Sequence, residues 1–302
     1  MIMRINFLKV ISLLVFVTPL TGLAAPVLVD TAWVAKHMDD PKLLLVDMAV
    51  EDTQYQRFHL SGAVYLPYAA IVYTRKDGVS VRVPDQHLIK VLGLMGITAD
   101  HHVVIYDDMG GLQAGRLFWE LERIGHRQVS VMDGGLVRWV LEGRKVVAAP
   151  TLPKPNQYWR TKLAGRANDA KLEEVVIARD KRTAVLLDVR SKEEYLGNEN
   201  LKKHNKPSGH IPGARWWPWD QSVGFNAGFK LKDRIDLLAS LAAIGVKDKS
   251  APVITYCRSG HRAAQSYLVL RHLGFTQVSL YDGSMAEYVR DPKAVLKTGA
   301  SP

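Results

Sequence analysis

The sequence predicts an α/β protein made of two copies of one domain, each a mostly parallel sheet flanked by helices. Three observations predict it. Short apolar runs such as Val103-Val104-Ile105-Tyr106 and Val253-Ile254-Thr255-Tyr256 alternate with segments of helical periodicity, the pattern of parallel strands joined by helices. Landmarks of the first half recur in the second: Asp47 with Asp188, His59 with His210, Gly96 with Gly245, Tyr106-Asp107 with Tyr256-Cys257, Gly125 with Gly274, and Asp133-Gly134 with Asp282-Gly283. From the histidine pair onward the offset stays within 149 to 151. It is 141 at the first pair, which places an insertion between Asp188 and His210. Between the halves, Pro150, Pro153 and Pro155 interrupt all periodicity, and residues 143–166 read as a linker.

The chain opens on residues 1–24, which have the three parts of a secretory signal peptide. Arg4 and Lys9 precede a nearly unbroken apolar run, 10–20, and small residues at Gly22 and Ala24 favour cleavage after Ala24. The apolar run is short for a membrane span of about 20 residues, so the reading is export to the periplasm, with no stable membrane association after cleavage. The first domain then covers 27–142. Asp30 caps a helix over 31–38, a strand over 42–46 ends at Asp47, and His59-Leu60-Ser61-Gly62-Ala63 turns into a short strand. A helix over 84–94, a strand over 103–106, the loop Asp107-Asp108-Met109-Gly110-Gly111, a helix stopped by Gly125 and a strand over 129–131 follow. The second domain, 167–296, repeats this order. Asp169 caps a helix toward Ala178, a strand over 184–187 ends at Asp188, and Gly209-His210-Ile211-Pro212-Gly213 is the turn. A helix over 232–244, a strand over 253–256 and a helix over 263–273 stopped by Gly274 complete it.

Composition narrows the function. With 302 residues and 47% hydrophobic content there is material for a large core. The net charge of +10 is interspersed, without a Lys/Arg block, so it favours anionic small molecules over nucleic acid. One cysteine cannot form an internal disulfide, and ten scattered histidines offer no zinc-ligand spacing. In an oxidising compartment that thiol is either buried or chemically employed.

Its surroundings favour employment. Cys257 follows a strand and precedes a helix, where unpaired N–H groups and the helix dipole favour thiolate over thiol. Arg258, His261 and Arg262 flank it, and Ser259-Gly260 supplies the small residues of a tight turn.

These pieces together resemble the tandem-domain rhodaneses, the thiosulfate and mercaptopyruvate sulfurtransferases. The resemblance spans about 27–296 and rests on Leu187-Asp188-Val189-Arg190, Tyr195-Leu196-Gly197, Gly209-His210-Ile211-Pro212-Gly213-Ala214, the Cys257 loop and Tyr281-Asp282-Gly283-Ser284. It implies two rhodanese-like domains, an inactive first one with Asp107 at the cysteine position and a catalytic second one. It further implies that Cys257 takes sulfur from a small anionic donor, holds it as a persulfide and yields it to a thiol, a protein thiol included, or to cyanide. The backbone of Arg258, Ser259, Gly260, His261 and Arg262 forms the cradle, with Arg258, His261 and Arg262 at the pocket mouth. Asp188 and Arg190 brace the loop, Asp47 acts similarly in the first domain, and His210 serves structure. Trp216, Trp217 and Trp219 serve packing, and no metal or organic cofactor is required. The Asp107 loop, with Asp108 beside it, should repel anions.

Two departures leave the donor open. The run Cys-Arg-Ser-Gly-His-Arg matches neither the thiosulfate-type nor the mercaptopyruvate-type loop, and Glu194 stands where many tandem members carry a substrate-binding arginine. The rival chemistry is a cysteine phosphatase or arsenate reductase, whose loop has five residues between cysteine and arginine. Only four separate Cys257 from Arg262, which suits a single sulfur atom better than a tetrahedral oxyanion. A sulfur carrier without its own turnover is the non-enzymatic alternative.

Overall fold

The computed structural model describes residues 24–158, 167–197 and 208–302. The signal-peptide segment up to residue 23, the end of the linker and most of the insertion after Gly197 lie outside the described residues. Two five-stranded sheets, every pairing in them parallel, form the two halves. The first has the order β1 (Leu28–Val29), β7 (Val129–Met132), β6 (His102–Tyr106), β2 (Leu43–Asp47), β3 (Val64–Tyr65). The second has the same order: β8 (Asp169–Ala170), β14 (Val278–Tyr281), β13 (Val253–Tyr256), β9 (Val185–Asp188), β10 (Arg215–Trp216). Each half adds one antiparallel hairpin, β4 (Val72–Thr74) with β5 (Ser80–Arg82), and β11 (Val223–Gly224) with β12 (Lys230–Leu231).

The central strands are buried and continuous in apolar residues, as strands covered on both faces must be. The repeat extends to single hydrogen bonds. His59 Nδ1 meets the Tyr55 carbonyl at 2.7 Å and His210 Nδ1 meets that of Tyr195 at 2.8 Å, each ring stacked on its tyrosine at 3.8 Å. Those tyrosine hydroxyls donate to Ala63 and Ala214, so both histidines lock turns.

The halves pack through helices Ala114–Arg123 and His261–Leu273. Gly115 permits the approach, because a Cβ there would lie 2.9 Å from the Ala264 carbonyl oxygen. One apolar cluster runs through the contact, from Ile105 and Leu117 to Tyr267 and Leu280. Ion pairs border it. Arg271 holds Glu122 at 3.0 Å, and the Arg116 guanidinium makes two bonds to Asp282.

Several expectations change. Asp169 is a strand residue, not a cap: its carboxylate accepts from Arg82 of the first domain, and the helix starts at Leu172. The helix expected over 232–244 spans Arg234–Ala243, because Lys232 donates its N–H to Ser222 as the hairpin ends. Residues 143–158 of the expected linker form no helix or named strand and are fastened to the first domain. Val147 bridges to His59, and Tyr158 packs buried beside His126.

Candidate active site

Strand β13 pairs with β9 on one side and β14 on the other, with Tyr256 in register with Asp188. Because the chain turns outward from β9 to β10 and returns through β13, the carboxyl ends of β9 and β13 form the crevice where open parallel sheets place ligands. Cys257 is the first residue beyond β13 and is 1% exposed. Three residues later Gly260, at φ +78°, starts the helix His261–Leu273. A Cβ at Gly260 would strike the Asp282 carboxylate and lie 2.8 Å from its carbonyl oxygen, so only glycine fits.

Ser284 braces the loop from below. Held at φ +49°, it donates to the Tyr281 carbonyl and accepts the N–H groups of Cys257 and Gly260, both at 3.1 Å. The carbonyls of Cys257 and Arg258 are tied away by the N–H groups of Met285 and Ala286. Among the described residues, the remaining loop N–H groups, from Arg258, Ser259, His261, Arg262 and Ala263, meet no oxygen acceptor.

The first domain shows what such N–H groups do with an anion. Asp107 follows β6 as Cys257 follows β13, and its carbonyl accepts from Leu136 as that of Cys257 accepts from Met285. Its carboxylate folds into its own loop. One oxygen accepts from Met109 at 3.0 Å and Gly111 at 2.9 Å, the other from Gln113 at 2.8 Å and Ala114 at 3.0 Å. Burial still pushes this carboxyl above the ordinary range, against the pull of those four donors. The loop expected to repel anions is already filled by one.

The charged side chains sort differently from expectation. Asp188 and Arg190 form a buried pair, with Nη2 to Oδ2 at 2.6 Å and Nε to Oδ1 at 2.9 Å, and Nη2 also reaches the Gly209 carbonyl. Asp47 has no arginine two residues on. Its Oδ1 accepts from Ala49, and burial, aided by Asp107 and Asp108, pushes it up to about 7. Arg258 is exposed. His261 carries no charge at neutral pH, because burial first, then Arg116 and Arg262, push it down to about 4. Arg262 is bound by Glu194, Nη1 to Oε2 at 2.7 Å and Nη2 to Oε1 at 3.0 Å. Of the three groups expected to bring positive charge to the mouth, one is neutral and one is paired.

Residues that sequence reasoning missed come mostly from the other domain. Tyr68, on the 3-10 turn Tyr68–Ala70, lies against His261 with ring centroids 4.5 Å apart. Burial raises its phenol to about 12, so it remains an O–H donor. Arg116 and the Arg82 N–H hold Asp282, which backs Gly260. Within the second domain, Ser284 was legible only as the end of a motif.

The arrangement places a buried cysteine in a loop that carries several backbone N–H groups without an oxygen acceptor among the described residues, an environment that suits negative charge. Comparison with known proteins agrees in type. Residues 30–142 and 172–291 each match the rhodanese-like domain. The "Sulfur carrier protein TtuD" of Thermus thermophilus is 32% identical, over 88% of this chain and 95% of that one. The "Putative thiosulfate sulfurtransferase 1" of Mycobacterium bovis is 30% identical, over 87% and 94%. In fold, the solved structure of EanB matches with a TM-score of 0.82 at 21% identity, over 91% of this chain and 70% of that one. YnjE matches with 0.79 at 23%, over 92% and 68%. With the same domain found twice, on the two sheets described above, the chain belongs to the rhodanese family as a tandem-domain member.

Proposed function

We propose that the protein is a sulfurtransferase in which Cys257 takes a sulfane sulfur from an anionic donor and passes it, as a persulfide, to a thiol or cyanide. One observation carries this reading: where four N–H groups of the first loop grip the Asp107 carboxylate, the second loop has five, from Arg258, Ser259, His261, Arg262 and Ala263, that meet no oxygen acceptor among the described residues. A thiolate attacks the donor's outer sulfur, the donor residue leaves with the bonding electron pair, and the loop donors steady the negative persulfide. An acceptor thiolate then attacks that sulfur and Cys257 leaves as thiolate. The names of the relatives support transfer and carriage of sulfur alike.

Intact mass spectrometry over a panel of donors, thiosulfate and a hydropersulfide among them, tests the reading. Wild type should gain about 32 Da, one covalently held sulfur, and Cys257→Ser nothing. Sulfur uptake without multiple turnovers on cyanide or small thiols would favour the carrier reading suggested by the Thermus relative. Hydrolysis of p-nitrophenyl phosphate without sulfur uptake would favour a phosphatase. Export to the periplasm belongs to the same proposal, supported by the 1–24 pattern, and N-terminal sequencing of the periplasmic fraction should begin at Ala25.

A further inference from the structure

The cradle is built for an anion, yet the guanidinium groups near it are spent. Arg190 is locked to Asp188, and Arg116 to Asp282 with Glu120 alongside. His261 is neutral. Arg262 is the second residue of the helix that follows the Cys257 loop, and both its terminal nitrogens sit on the Glu194 carboxylate. That carboxylate is fixed independently, because Oε2 also accepts the Ser191 N–H in a capping box at the start of the helix Lys192–Leu196. The pair is only about a quarter exposed, at 24% for Arg262 and 17% for Glu194, so solvent screens it weakly. Burial alone would raise Glu194, but Arg262 outweighs it and holds the carboxyl below its usual range. Arg258, exposed, is left as the cation in the loop not tied to a carboxylate among the described residues.

We propose that Glu194 sets the donor class: by neutralising Arg262 it fits the Cys257 site to a singly charged hydropersulfide, R–S–SH with the charge on R, and selects against a dianion such as thiosulfate. This rests on the reading of Cys257 as the sulfur acceptor. With a hydropersulfide, the Cys257 thiolate attacks the outer sulfur, the S–S bond breaks, Cys–S–SH forms and RS⁻ leaves with the electron pair. With thiosulfate the same attack releases sulfite and brings three negative charges together. A fixed carboxylate nearby raises that barrier more than the first.

The experiment measures the rate of the 32 Da gain (about one sulfur) in the full chain, with thiosulfate and with cysteine hydropersulfide. Wild type should prefer the hydropersulfide. Glu194→Gln keeps an acceptor for the Ser191 N–H and frees Arg262, and should shift the thiosulfate-to-hydropersulfide rate ratio about tenfold toward thiosulfate. Raising the salt should shrink that shift. The double variant Glu194→Gln/Arg262→Gln should lose it. Because both rates come from one sample, misfolded protein cancels from the ratio. An unchanged or reversed ratio in Glu194→Gln, or a shift that persists in the double variant, overturns the proposal while leaving sulfur transfer standing. No uptake from either donor overturns both.

Discussion

The Asp107 and Cys257 loops leave equivalent strands, enter equivalent helices and hang from equivalent backbone bonds, yet one is closed and the other open. In the first, four N–H groups converge on a carboxylate that belongs to the loop itself. In the second, Cys257 takes the aspartate's place, Ser284 holds the Cys257 and Gly260 N–H groups, and those of Arg258, Ser259, His261, Arg262 and Ala263 meet no oxygen acceptor among the described residues. The two loops share a backbone frame, and in the first a single side chain fills it. The first domain also reaches the second loop, through Tyr68 against His261 and Arg116 behind Gly260.

If the first loop is a strut, its cost of breakage lies in stability. Asp107→Ala leaves three buried donors and the part-buried Met109 N–H without acceptor and should lower unfolding free energy by about 4 kcal/mol, read by urea denaturation. Cys257→Ala should cost about 1 kcal/mol, since it removes one small side chain and no bond to the loop. Equal losses would erase the distinction.

The strand-end aspartates sharpen the comparison, because substitution to asparagine should act with opposite signs. Asp188→Asn leaves Arg190 buried without its counter-charge and should destabilise by about 3 kcal/mol near neutral pH. Asp47 has a folded-state carboxyl raised to about 7, above its ordinary 3.8, chiefly by burial. Its contribution to stability is therefore complete below pH 3.8 and is lost as pH rises through about 7. Asp47→Asn, which does not titrate, should stabilise by about 2 kcal/mol at pH 8, and the advantage should vanish near pH 4. Urea denaturation at the two pH values checks both signs.

The last test belongs to Ser284, whose counterpart is Gly135. Ser284→Ala removes the acceptor for the buried Cys257 and Gly260 N–H groups, and should cost about 2 kcal/mol and slow sulfur uptake roughly fivefold. A loop held by its glycine and helix alone would show no change in rate.

Much of this was legible in the sequence, because repeats and local chemistry are one-dimensional. The paired aspartates, histidines and glycines exposed the duplication. The placement of Cys257 between a strand and a helix was readable from the flanking apolar run and the helical periodicity. The Asp188–Arg190 pair was readable because two residues on one strand end are neighbours in any fold. Other features were hidden by distance along the chain. Glu194 was noticed as an odd residue, but its partner is Arg262, 68 positions away. Tyr68 and Arg116 lie in the domain without the cysteine, so nothing near them in sequence pointed to the site.

The sequence by itself determined the domain type, its duplication and the place of the single cysteine between strand and helix, since each follows from residue order and backbone preference. Only the tertiary structure decided the charge around that cysteine. Whether an arginine or a histidine acts as a cation depends on burial and on which carboxylate arrives from elsewhere, and those are properties of packing. Hence His261 is neutral, Arg262 is spoken for, and the Asp107 loop contains the anion it was expected to repel.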